Sequence, residues 1–135
     1  MSVRAVNHIA IVVEDIEAAL GFWRDALGLT LARTTPVDAE AVTVAFLPVG
    51  AAEIELLEPT SDTSGVARFL EKRGPGIHHL CLEVDDIAAT MARLRAHGVT
   101  LINEEPRVAE DGRQYAFVHP KSAHGVLVEL YQLSG

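Results

Sequence analysis

Apolar and polar positions follow two different periods along this chain. Residues 5–13 (AVNHIAIVV) are rich in β-branched side chains. In an extended conformation His8, Ala10 and Val12 share one face, and Ile9, Ile11 and Val13 share the other. From Asp15 the period changes. Ile16, Ala19, Leu20, Trp23 and Leu27 recur at three- and four-residue spacing, which predicts a helix capped by Asp15 and stopped at Gly28. Strand patterns follow at 29–35, 41–48 and 52–58, separated by a loop at Pro36–Glu40 and a turn at Val49–Ala51. Residues 59–65 (PTSDTSG) read as a linker, and 66–73 as a short helix closed by Gly74, Pro75 and Gly76. The first pattern then returns. A strand at 77–84 is followed by a cap at Asp85 or Asp86, a helix over 87–97 and a stop at Gly98. Further strands are expected near 99–103, 114–118 and 126–132. The order is β-α-β-β-β, a connector, then β-α-β-β-β again.

The two halves align residue by residue. NHIAIVVEDIEAAL (7–20) lies over HHLCLEVDDIAATM (78–91) at an offset of 71, so His8 meets His79 and Asp15 meets Asp86. Gly28 meets Gly98 at an offset of 70, and Ala45-Phe46 meets Ala116-Phe117 at 71 again. Ile54-Glu55-Leu56 meets Val128-Glu129-Leu130 at 74, which requires three extra residues in the second half around Lys121 to His124. The expected organisation is one domain over 1–135, with a first module at about 4–59, a linker and helix at 60–75, and a second module at about 76–133.

The repeat matches one histidine with another and one glutamate with another, each in a strand. A pseudo-twofold packing of the modules would bring His8, Glu55, His79 and Glu129 to one cavity. Imidazole nitrogen with carboxylate oxygen suits a divalent ion such as cobalt, zinc, nickel, manganese or iron. Two neutral histidines and two carboxylates nearly neutralise such an ion and leave coordination positions open, as catalytic sites do. Glu53 shares a face with Glu55, so alternation alone does not separate them. The repeat selects Glu55, and likewise His79 over His78. A carboxylate among apolar strand residues is costly without a partner, which an ion would supply.

Composition narrows the partners. Of 135 residues, 49% are hydrophobic, enough for a folded core rather than a disordered chain. The net charge of −8 disfavours nucleic acid, whose binding needs clustered lysine and arginine. Cys81 is the single cysteine, so no intrachain disulfide is possible. No signal-peptide pattern and no apolar run of membrane-spanning length is present, and a cytoplasmic location is expected. Dinucleotide, phosphate-loop and hydrolase-elbow motifs are missing as well.

The duplicated βαβββ pattern with its His/Glu/His/Glu set resembles the vicinal oxygen chelate superfamily, the glyoxalase and bleomycin-resistance fold. Within it, six strings resemble the methylmalonyl-CoA epimerase family: Asn7-His8-Ile9-Ala10, Glu55-Leu56-Leu57-Glu58-Pro59, Gly76-Ile77-His78-His79-Leu80, Glu83-Val84-Asp85-Asp86-Ile87, His119-Pro120-Lys121-Ser122 and Gly125-Val126-Leu127-Val128-Glu129-Leu130. The similarity runs from about residue 5 to 131. It implies an α+β fold, a cupped eight-stranded mixed sheet around one divalent ion, with cobalt favoured, held by His8, Glu55, His79 and Glu129 in a homodimer. It also implies exchange of the α-proton of methylmalonyl-CoA between two faces through an enolate. Such a reaction needs two acid/base groups. Glu129 is the expected base. Some relatives carry a second catalytic glutamate on the third strand of the first module, where alignment places Thr43 here. Glu40, Glu55 or a bound water then remain for the opposite face.

Lys121 is a candidate contact for a coenzyme A phosphate. Arg68, Lys72 and Arg73 share one short helix, whose ordinary reading is a solvated face. Cys81 matches Ala10 in the repeat and reads as small core packing, while Phe22 and Trp23 read as core or dimer packing. His78, His97, His119 and His124 have no matched histidine and are not expected to bind metal. The rival readings are a glyoxalase-like isomerase or dioxygenase on the same scaffold, and a non-catalytic protein that sequesters a small molecule. Nothing in the residues separates methylmalonyl-CoA from ethylmalonyl-CoA as a substrate.

Overall fold

The computed structural model describes residues 2–133. The elements in chain order are β1 (Val3–Val12), α1 (Ile16–Leu20), β2 (Arg33–Val37), β3 (Val42–Val49), β4 (Ala52–Pro59), α2 (Gly65–Arg73), β5 (Gly76–Val84), α3 (Ile87–Ala96), β6 (Arg107–Val108), β7 (Gln114–Val118) and β8 (Val128–Gln132). Eight strands in mixed pairing and three α-helices match the expected fold class. The chain divides into two compact units. One is His8–His78; the other joins the residues from His79 onward to residues 2–7. The start of β1 belongs with the second unit, where the backbone N–H and hydroxyl of Ser2 donate to Asp85, and Asn7 donates to Glu83 at 2.8 Å.

In the first unit the strand order is β2-β3-β4-β1. β1 and β4 are parallel, while β2/β3 and β3/β4 are antiparallel. One face of this sheet packs Ala45, Leu47 and Leu56 against Ile16 and Leu20 of α1. The other face gathers Ala10, Val12, Val42, Val44 and Leu57 beneath Val66, Phe69 and Leu70 of α2. The expected helix over 16–27 is present but changes type. After Leu20 it runs as a π-helical stretch over Gly21–Ala26, with the Leu27 N–H reaching back five residues to the Phe22 carbonyl. Gly28 then adopts φ +91°, which a residue with a Cβ rarely tolerates, and the helix ends. β2 begins at Arg33 rather than near 29, because Leu29 and Leu31 are spent packing against the α1 core.

The second unit repeats the scheme. β5 pairs parallel with β8, and β7 is antiparallel to both β8 and β6. Ala116, Val118 and Leu130 pack against Ile87 and Met91 of α3. The strand expected at 99–103 is reduced to a single bridge between Leu101 and Val118. The adjacent Phe117 donates its backbone N–H to the side-chain oxygen of buried Asn103 at 2.8 Å. A side chain has taken over a bond that a continuing strand would have made. The short β6 follows Pro106, which has no N–H to give a ladder. The register confirms the three-residue insertion: Leu47 faces Ile54 across β3/β4, whereas Val118 faces Val128 across β7/β8. Six residues lie between the first pair and nine between the second.

Candidate metal centre

Each unit builds the same histidine–glutamate pair by the same route. In the first, Glu55 on β4 is in register with Ala10 on β1, two residues beyond His8 and on its face. His8 Nδ1 lies 3.2 Å from Glu55 Oε2. In the second, Glu129 on β8 is in register with Cys81 on β5, two residues beyond His79. His79 Nε2 lies 3.1 Å from Glu129 Oε1. On the far side of each glutamate stands the matched phenylalanine, Phe46 opposite Glu55 and Phe117 opposite Glu129. All four polar side chains are shielded, with His8 at 2% and Glu129 at 5% residue exposure. Glu55 and His79 side chains are 14% and 12% exposed.

The pairs fit a divalent ion. Imidazole nitrogen and carboxylate oxygen bind such ions at about 2.0–2.2 Å. Donors subtending roughly 90–110° at an ion are then about 3.0–3.4 Å apart, the separations seen in both pairs. A simple histidine–carboxylate hydrogen bond has a similar length. What favours an ion is the repetition of a buried acid and base in identical register in both halves, a costly arrangement for a core that needs only packing.

The other candidates fall in place around these pairs. His78 turns to the opposite face of β5 and meets Phe69 edge-on at 5.1 Å. Cys81 is fully buried. Lys121 is exposed in a 3₁₀ turn over Pro120–Ala123, where its N–H donates to the ring of His119. Trp23 packs against the α1 core, and Phe22 is exposed. Thr43 stands opposite Pro36 and Glu58, on the face of β3 away from Glu55. The positions of β3 that share Glu55's face are Val42, Val44 and Phe46, none an acid. Glu40 is exposed in the turn before β3.

Two features escaped sequence reasoning. The first N–H of α1, at Ile16, is accepted by Glu58 Oε1 at 2.7 Å, and that of α3, at Ile87, by Gln132 Oε1 at 2.7 Å. Glu58 and Gln132 are related by the offset of 74 that also relates Glu55 to Glu129, so the repeat contained this signal. The second is Arg113, whose guanidinium lies over Tyr131 on the face of β8 that carries Glu129.

Each βαβββ unit carries one matched His/Glu pair, and comparison with known proteins places the chain in a family. Residues 7–117 match the family model of the glyoxalase/bleomycin resistance protein/dioxygenase superfamily, and the chain belongs to that superfamily. It is similar to an ethylmalonyl-CoA/methylmalonyl-CoA epimerase of Cereibacter sphaeroides, 41% identical over 130 residues, covering 95% of this chain and 97% of that protein. It is also similar to the mitochondrial methylmalonyl-CoA epimerase of Mus musculus, 38% identical over 128 residues, covering 94% of this chain and 72% of that protein. A solved structure of a methylmalonyl-CoA epimerase in complex with methylmalonyl-CoA and NH4+ superimposes with a TM-score of 0.87 at 34% identity, covering 99% of this chain and 97% of that one.

Proposed function

We propose that this chain is a methylmalonyl-CoA epimerase, an isomerase that moves the α-proton of methylmalonyl-CoA from one face of the α-carbon to the other. The observation that carries the reading is the His–Glu pair repeated in the same register in both units. In it His8, Glu55, His79 and Glu129 together hold one divalent ion, cobalt by preference. Epimerase relatives at 38–41% identity over nearly the whole chain supply the substrate. A homodimer in the cytoplasm completes the proposal; among the described residues no helix is long and apolar enough to cross a membrane.

The substrate's α-proton lies between a thioester and a carboxylate, so its removal leaves an enolate. A bound divalent ion would supply Lewis-acid stabilisation of that charge. Glu129 takes the proton. It is buried between Phe117 and Cys81, where water competes poorly for the carboxylate and its field acts at full strength. His79 would hold the ion beside the Glu129 carboxylate, and His8 would hold it beside that of Glu55. Return of a proton on the opposite face calls for a second group. β3 brings no acid to Glu55's face; Glu40, Glu55 or a bound water remain for that role. Ethylmalonyl-CoA adds one methylene and is the expected second substrate.

NMR of methylmalonyl-CoA in D₂O tests the reading. Loss of the α-proton signal with metal-loaded protein, abolished by chelator and restored by cobalt, is the expected result. No exchange under either condition overturns it. A glutathione hemithioacetal or a catechol consumed in its place would assign a glyoxalase-like or dioxygenase activity, and metal-free purified protein would point to ligand sequestration.

A further inference from the structure

Arg113 lies on the face of β8 that carries Glu129. The turn before β7 fixes it. Gly112 takes φ +87°, the Ala109 N–H donates to the Arg113 carbonyl at 2.8 Å, and the Arg113 N–H donates to Asp111 Oδ1 at 3.0 Å. The side chain is held at two points. Nε lies 2.7 Å from Asp111 Oδ2, and Cζ sits 4.8 Å from the ring centre of Tyr131. Tyr131 is two residues beyond Glu129 on β8, so both point to one side, about 7 Å apart along the strand. Partial burial lowers the guanidinium's pKa, but Tyr131, Asp111 and Glu129 together leave it above the ordinary value. Asp111 Oδ2 lies against Nε, and the two terminal amino groups project beyond that contact. A planar guanidinium fork seated over an aromatic ring is suited to a carboxylate.

We propose that Arg113 binds the free carboxylate of the acyl group and so selects malonyl-type thioesters over neutral acyl-CoA. The inference rests on the epimerase reading of the same site. In that substrate the carboxylate is bonded to the carbon whose proton Glu129 takes, within reach of a group two strand positions away. The phosphates of coenzyme A lie at the other end of the pantetheine chain. Arg113 touches substrate, with Tyr131 beneath its guanidinium and the Asp111 carboxylate beside Nε.

Calorimetric binding of malonyl-CoA and of acyl-free coenzyme A to the metal-loaded protein tests this, with R113M and R113K compared to the unaltered chain. A charge-assisted hydrogen-bonded pair predicts that R113M weakens malonyl-CoA binding by roughly 10- to 100-fold and leaves coenzyme A binding within about twofold. R113K should recover part of the loss, because it restores charge without the fork. Equal weakening toward both ligands would assign Arg113 to the phosphates and overturn the proposal, as would unchanged binding of malonyl-CoA. An unaltered chain that exchanges no α-proton yet favours malonyl-CoA through Arg113 would sink the epimerase reading and leave this one standing.

Discussion

Glu129 and Cys81 stand in register across β5 and β8, and Ala10 holds the corresponding place beside Glu55. A thiol in one half thus occupies the position of a methyl group in the other. Neither neighbour is chemically required if the glutamates act with their histidines. Cys81→Ala is expected to retain α-proton exchange within about twofold, with a stability cost of about 1 kcal/mol for the lost sulfur. Cys81→Leu should lose exchange, because a fully buried site beside Glu129 has no room for the added volume. The D₂O assay and thermal unfolding check both.

Glu129→Gln separates the base from the ligand. The amide keeps the shape and an oxygen donor but takes no proton. Exchange should fall by about 10²-fold or more, the contribution of a positioned general base, while elemental analysis still finds much of the metal. Undiminished exchange would remove Glu129 from the mechanism.

The helix starts offer a stability test far from the chemistry. Glu58→Ala leaves the Ile16 N–H without its acceptor, and Gln132→Ala does the same to Ile87. Each should cost about 1 kcal/mol or somewhat more, a fall of roughly 3–6 °C in the unfolding midpoint. Gln132→Glu reproduces the first unit's arrangement and should be close to neutral.

Asn103 replaces a strand's backbone acceptor. Asn103→Ala would orphan the N–H of Phe117, the residue directly opposite Glu129. The expected cost is about 2–3 kcal/mol for a buried unsatisfied donor, with slower exchange as Phe117 shifts. Hydrogen exchange at Phe117 should rise first.

Asp85 holds Ser2, the residue before β1. The Ser2 backbone N–H, with its hydroxyl, holds the Asp85 carboxyl below the ordinary carboxylate value. A depressed folded-state pKa contributes stability above the unfolded value, and that stability is lost as pH falls through the folded value. The unaltered chain should therefore lose stability more steeply than Asp85→Asn on acidification below the normal aspartate range, measured as denaturation midpoints against pH.

The offset of 71 between the halves, widening to 74, was enough to choose His8, Glu55, His79 and Glu129 from six histidines and nineteen acids. Alternation and helical spacing located the three helices, because each has an apolar face that must be buried wherever the chain goes. Tertiary structure decided what depends on partners. The strand expected at 99–103 gave way to the Asn103 side chain, the first helix opened into a π-helical stretch, and Thr43 fell on the face away from Glu55. Arg113 came to lie over Tyr131 only because a glycine turn and an antiparallel ladder brought them together. Side-chain periodicity is a property of neighbours along the chain and can be read there; register and hydrogen-bond substitution are properties of neighbours across it, and exist only once the strands have met.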